Sequence, residues 1–352
     1  MLSDVSFRRV STAFALAFFG CFANAQTIAP PLAYAASGSV ILAESTSLPK
    51  EVIQQRLEST PITEFDNRGK DQLWLVSSRR LGSRNCSVNS LDVRQRGGGD
   101  VWQPSSASAF FAPDPDEIRR PIVIFIHGNR WSLDKAIRRG LQTYEQTIVP
   151  WNDAPAMRYV IWAWPADQIA GPIRDVRIKA ERADEHSFHL ARFLQNIDPR
   201  TPVSIIGFSF GGRVSLGALH LIGGGTIDGC GLPSVSHPIA PVNLTLAVPA
   251  IRNDCLVTTR CRAYSQINHL DLVYNSRDSY LSLFRFTWFD NKRPALGYTG
   301  ISGLNQLPDH STRVHQFNAA QFVGREHDYL EYISDQRIEA SLRRHLLIGF
   351  PQ

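Results

Sequence analysis

The chain has 352 residues, 43% of them hydrophobic and 20% charged, which suits a full buried core and excludes a disordered or fibrous protein. Its 37 basic and 32 acidic side chains leave a net charge of +5. The basic residues are scattered, with no run of five or more, so the charge reads as a solvated surface and nucleic acid is not expected as a partner.

At the N-terminus, Arg8 and Arg9 precede an apolar run from Val10 to Phe22, and Ala23-Asn24-Ala25 follows. A basic start, a short apolar stretch and a small-x-small end form a secretory leader. Residues 1–25 are therefore expected to be a cleaved signal peptide, and the protein to be secreted or to lie in the periplasm or envelope. The run is too short for a comfortable membrane span. An uncleaved interfacial anchor and lipidation at Cys21 are the alternatives. Phe18 and Phe19 fit a lipoprotein site poorly. No later stretch is long and apolar enough to span a membrane, so no stable span is expected after cleavage. Residues 26–60, rich in Ala, Ser and Pro, read as a linker, with a short helix possible between Lys50 and Glu58, and 61–352 as one folded domain. Loss of the leader leaves Cys86, Cys230, Cys255 and Cys261, an even number that permits disulfides in three pairings. No Cys-x-x-Cys and no His pair at zinc spacing occurs, so no structural metal is expected.

The domain opens with strand-like segments, Gln72–Ser77 and Ser90–Arg94; the second alternates apolar and polar as a half-buried edge strand does. Gly97 to Asp116 reads as long loops. From Pro121 the strand runs become continuously apolar, as parallel strands buried on both faces are. They are Ile122–Ile126, Tyr159–Trp164, Val203–Gly207, Leu244–Val248, Leu270–Tyr274 and Val314–Asn318. Helical periodicity lies between them, over Arg174–Ile197, after Gly211 and over Tyr329–Leu347. Such alternation predicts a mostly parallel sheet with helices on both faces, joined to antiparallel N-terminal strands.

Two strand ends carry chemistry. Ile205-Ile206 runs into Gly207-Phe208-Ser209-Phe210-Gly211 and then a helix. A serine in a sharp strand-to-helix turn needs glycine on both sides, because neighbouring backbone passes close by. Its hydroxyl then stands at the carboxyl edge of the sheet, at a helix N-terminus. The second is Ile122–Ile126 followed by His127-Gly128-Asn129-Arg130. His127 is expected to hold this loop and not to move protons.

With these two motifs in this order the chain resembles the α/β-hydrolase superfamily over residues 70 to 350. It looks most like compact esterase- or lipase-like serine hydrolases with a Ser-Trp-Pro-Ser-like strand end, here Trp162-Ala163-Trp164-Pro165-Ala166. The resemblance implies an α/β-hydrolase fold. It also implies a catalytic triad in the chain order nucleophile, acid, histidine: Ser209 as nucleophile, Asp278 as acid after the strand Leu270–Tyr274, and His327 as base after the last strand. Asp254, after the preceding strand, is the alternative acid. The resemblance further implies an oxyanion hole made by the backbone N–H groups of Asn129 and Phe210. The mechanism is acyl transfer through an acyl-enzyme, with no metal and no organic cofactor.

The connection from Pro249 to Asn268 has room for about one helix, so no large lid domain is expected. The longer excursion, Phe284–Thr312, carries several aromatics. With Trp131, its Trp288 is expected to wall a pocket for a small-molecule acyl substrate. An ester hydrolase is the first reading. An amidase or lipase on the same triad, or a non-catalytic binding protein on this fold, are the others.

Overall fold

The computed structural model describes residues 68–348, apart from 83, 117, 152, 234–238, 287–289 and 291. The expected leader and linker, and Trp288, lie outside the described residues. The described residues belong to one unit, Ile62–Gln352.

Among the described residues, nine strands form one sheet. They are β1 (Gln72–Ser77), β2 (Asp92–Arg96), β3 (Trp102–Ser105), β4 (Ile122–Ile126), β5 (Arg158–Ala163), β6 (Val203–Phe208), β7 (Val242–Ala247), β8 (Ile267–Tyr274) and β9 (Val314–Asn318). Their spatial order is β3-β2-β1-β5-β4-β6-β7-β8-β9. β2 pairs antiparallel with both β1 and β3, and the pairings along β1-β5-β4-β6-β7-β8-β9 are all parallel. The four inner strands β4 to β7 are buried along their whole length, which accounts for their largely apolar or small sequences.

The helices used below are α1 (Ala107–Phe111), α2 (Leu133–Thr143), α3 (Pro172–Gln195), α4 (Phe210–Ile222), α5 (Leu296–Thr299), α6 (Tyr329–Ile333) and α7 (Gln336–Leu346). α3 packs along α4. α7 lies on β7 and β8 and meets the π-helical turn Tyr144–Ile148 that continues α2. Right-handed crossovers place these two groups on opposite faces, because β5 lies to one side of β4 and β6 to the other. The result is the α/β-hydrolase fold, a mostly parallel sheet sandwiched between helical layers, without a large lid domain among the described residues. No helix among these residues is long and apolar enough to cross a membrane.

Four local expectations differ from the structure. β2 is not an edge strand: β3 covers it, from within the stretch read as loop. Pro104 disguises β3, and proline is tolerated on an edge where its missing N–H faces away from the ladder. The stretch Tyr329–Leu347 breaks into α6 and α7 because the Asp335 carboxylate caps a new helix, accepting from the N–H groups of Arg337 and Ile338. The connection after β7 holds two 3-10 turns, Cys255–Val257 and Cys261–Gln266, in place of one helix. Cys86, Cys230, Cys255 and Cys261 are all free thiols, so none of the permitted disulfides forms.

Candidate active site

β6 delivers Ser209 at its carboxyl end, where the chain reverses directly into α4. Ser209 takes φ 52° and ψ −118°, a backbone conformation that costs an L-residue of order 1–3 kcal/mol. The glycines explain how the turn closes. A Cβ on Gly211 would fall 2.1 Å from the carbonyl oxygen of Ile126, and one on Gly207 would fall 2.9 Å from the Cα of Gly212. Both contacts are with backbone, which cannot swing aside. The turn is further pinned by Ser209 N–H donating to Ala247 O and by Ala250 N–H donating to Ser209 O.

Three side chains from three strand ends meet there. His327 Nε2 lies 3.0 Å from Ser209 Oγ, and His327 Nδ1 lies 2.5 Å from Asp278 Oδ2. Asp278 is fully buried, and its other oxygen accepts from the N–H groups of Tyr280 and Leu281, both at 2.9 Å. A carboxylate held this way has one free direction, towards His327. The Tyr332 hydroxyl lies 3.5 Å from Asp278 Oδ2 and accepts from Asn275 Nδ2 at 2.9 Å, joining α6 to the acid loop. Asp254 is elsewhere engaged, with both its oxygens on Arg252 and one also near Arg293. Asp278 is therefore the carboxylate that reaches His327.

The loop after β4 runs beside this group. Gly128 packs so closely on the Phe208 ring and Ser209 Cβ that a side chain there would collide with both. His127 is wholly buried. Its Nδ1 donates to Gly128 O at 2.8 Å, and its Nε2 accepts from Trp164 N–H at 3.3 Å. Burial pushes its pKa down to about 3, so it stays a neutral strut. Its ring lies between those of Trp131 and Trp164, each 5.7 Å away and stacked. Phe210 opens α4, so its N–H is one of the first four of a helix, which have no acceptor inside the helix. The Asn129 side chain donates to Asp175 Oδ2 at 2.8 Å and accepts from Arg130 N–H, which fixes the loop.

Asp175, in the first turn of α3, was not singled out from the sequence. It is fully buried and also accepts from Arg130 Nε, Lys179 Nζ and Ile169 N–H. Burial disfavours its charge, yet these bonds hold its carboxyl below the usual range. Lys179 is itself fully buried and pairs with Asp175 at 3.1 Å. An i, i+4 Asp–Lys pair on a helix normally reads as solvated surface, so the sequence offers no sign of this anchor.

Trp131 is placed differently from expectation. It is only 5% exposed and packs against His127, Phe125, Phe208 and Tyr329. It supports the site from below and offers little surface to a substrate. Tyr280, 64% exposed, presents its ring 5.7 Å from the His327 imidazole. The excursion after the acid does return to this edge: α5 lies across the turn after β7, with Leu296 N–H on Ile251 O and Gly297 N–H on Pro249 O. Beneath it Val248 has φ 43°, a strained value for a β-branched residue. A cleft of about 340 Å³, lined by Phe110, Arg119, Arg158 and Arg200 among others, lies at the opposite, amino edge of the sheet and takes no part in this arrangement.

No family model matches the chain, and no curated protein matches it. Among solved structures it is similar to inhibited esterase B from Lactobacillus rhamnosis, with 12% identity, 85% of this chain and 91% of that chain covered, and a TM-score of 0.38. It is also similar to a bacterial heroin esterase, with 14% identity, 84% and 89% covered, and a TM-score of 0.35. At these identities neither likeness speaks to what this chain acts on.

Proposed function

We propose that this chain, an α/β-hydrolase fold with Ser209 in the turn after β6, is a serine hydrolase that cleaves carboxylic esters through an acyl-enzyme. The observation that carries the reading is the unbroken relay Ser209 Oγ–His327 Nε2–Asp278 Oδ2, at 3.0 and 2.5 Å. In this reading Ser209 Oγ attacks the acyl carbon while His327 Nε2 takes its proton. Asp278 accepts from Nδ1–H, which fixes the tautomer and stabilises the imidazolium that forms. The developing oxyanion is met by the backbone N–H groups of Phe210 and Asn129; losing one such donor typically costs about 3–4 kcal/mol of transition-state stabilisation. His327 then gives its proton to the leaving alcohol. Water, deprotonated by the same nitrogen, releases the acid and restores Ser209.

His127, Trp164 and Asp175 act by holding the loop that carries Asn129. Tyr280 is the first candidate for contact with the apolar part of the substrate. The leader read at residues 1–25 would place the enzyme outside the cytoplasm, and N-terminal sequencing of the mature chain would test that.

The test of the activity is a panel of p-nitrophenyl esters of rising acyl length, with the matching anilides, on wild type and Ser209→Ala. Ester turnover that vanishes in the variant is expected. Equal turnover by both proteins, or turnover of the anilides alone, would sink the ester reading.

A further inference from the structure

A second group of polar side chains lies between the sheet and α7. Asp271 on β8 stands opposite His315 on β9 in the parallel register, so both project from the same face. α7 crosses that face and brings Ser341 and His345, one turn apart. His315 Nδ1 lies 2.6 Å from Asp271 Oδ1, and His345 Nδ1 lies 3.3 Å from the same oxygen. Ser341 Oγ is 3.3 Å from the other carboxylate oxygen. His269, two residues before Asp271 on β8, stacks on the His345 ring at 4.7 Å, and His315 stacks on it at 4.7 Å as well. Three imidazoles thus pile up over one fully buried carboxylate.

From this geometry we propose that Asp271, His315 and His345 form a binding site for a divalent transition-metal cation of the Zn²⁺ class. One donor atom from each of the three lies within 4.8 Å of the others. Around a tetrahedral zinc, with bonds of about 2.0–2.2 Å, such atoms stand roughly 3.3 Å apart. The His345 contact already has that spacing. The His315 contact must open by several tenths of an ångström, and the His315 side chain, 41% exposed, has the freedom to do so. Two imidazoles and one carboxylate suit zinc, cobalt, nickel or copper and not the oxygen-seeking Mg²⁺ or Ca²⁺.

The cation takes the place of the protons that now bridge the imidazoles to Asp271. The surroundings suit that exchange. Ser341 orients the second carboxylate oxygen, as outer hydrogen bonds do for metal-binding carboxylates. His315 faces solvent and supplies the entry path and room for water on the open side. His269 lies against the ring of His345, and its Nε2 is buried without a hydrogen-bond partner. Arg344 on α7 acts on His315 as a repelling positive charge. The bound cation clamps β8, β9 and α7 together, and these two strands lead to the loops that carry Asp278 and His327. Ligand spacing in the sequence does not reveal the site, because its members come from three elements that meet only in the fold.

The test uses the full chain without an affinity tag, stripped with chelator and dialysed against Zn²⁺, with bound metal measured by mass spectrometry. Co²⁺ absorption reports the ligand field. About one Zn²⁺ per chain is expected, with a thermal midpoint several degrees higher when loaded. Affinity should fall about 100-fold or more in His315→Ala and His315→Gln, and stay unchanged in His327→Ala. Because His315 lies at the surface, its variants should keep the wild-type circular dichroism, and His345→Gln gives a second ligand deletion. No bound metal at about 100 µM free Zn²⁺, or equal binding by wild type and the His315 variants, would overturn the proposal, since even weak protein sites fill in this range. Binding lost only in His327→Ala would place the metal at the Ser209 group and overturn it too.

Discussion

Ser209, His327 and Asp278 stand at the carboxyl edge of the sheet, while Ser341, His345 and Asp271, the same three residue types, lie between the sheet and α7. In the first group the two ring nitrogens of His327 each take one partner, at 3.0 and 2.5 Å, whereas in the second both contacts, at 3.5 and 3.3 Å, fall on Nδ1 of His345. The backbone under each serine differs as well. Ser209 sits in a strained turn at a helix N-terminus, where N–H groups converge. Ser341 sits inside α7, with its hydroxyl directed to Asp271 and its N–H within the helix. A nucleophile needs a place for the oxyanion; Ser209 has helix N-terminal N–H groups beside it, and Ser341, inside its helix, does not. In the second group, two histidines share one carboxylate, an arrangement suited to a cation.

Paired substitutions sharpen the contrast. Ser209→Ala should lower kcat by about 10⁵–10⁶-fold, as removal of a triad serine does. Ser341→Ala should leave kcat unchanged. Steady-state kinetics on one ester decides between them; a loss in both would mean that the two groups act as one.

Asp278→Asn should lower kcat by about 10⁴-fold with little change in KM, because it disturbs the tautomer of His327. Asp271→Asn should instead cost about 1–3 kcal/mol of stability through a weakened buried hydrogen-bond network, with kcat per folded molecule retained. Denaturant titration beside kinetics separates the two effects.

Asp175→Ala sits between these extremes. It removes the partner of buried Lys179, and breaking a buried pair costs about 3–5 kcal/mol. It also frees Asn129, so kcat of the surviving folded fraction should fall while KM moves less. Wild-type kcat in that fraction would show that the loop after β4 holds its shape without its anchor.

The remaining effect is a pH slope. Burial holds His127 and His186 down to about 3 and His189 to about 4, whereas all three protonate near 6.5 when unfolded. The unfolded chain therefore binds more protons between these values, and the stability these groups contribute is complete above pH 6.5 and lost as pH falls towards 3–4. Urea midpoints at pH 7 and pH 5 should differ in that direction, and less so in His127→Asn. Equal midpoints would mean that His127 is not held neutral by its burial.

Much of this was legible in the sequence, for physical reasons. Strands β4 to β7 are buried on both faces and so are largely apolar, and β8 carries a shorter apolar stretch interrupted by Asp271. The Ser209 turn tolerates only glycine where backbone passes within 3 Å, which stamps the motif on the chain. His327 and Asp278 follow strands whose ends the apolar pattern marks. Asp278 and Asp254 could not be separated by pattern, because both follow a strand; the Arg252 partner of Asp254 is visible only in three dimensions. Aromatic type does not reveal burial, so the sequence makes Trp131 look like a pocket wall although it is 5% exposed. β3 was lost in a stretch of Ser and Pro. The Asp175–Lys179 anchor and the Asp271–His315–His345 group were hidden for one reason: a charged or imidazole side chain looks like surface until the fold buries it.

The most direct measurement is labelling by a fluorophosphonate, which reacts with a serine activated by a histidine. Wild type should take up one phosphonate per chain, located on Ser209 by peptide mass. Ser209→Ala should take up none, His327→Ala should react far more slowly, and Ser341→Ala should match wild type. Absence of label, or label that persists in Ser209→Ala, would contradict the assignment of Ser209 as the nucleophile.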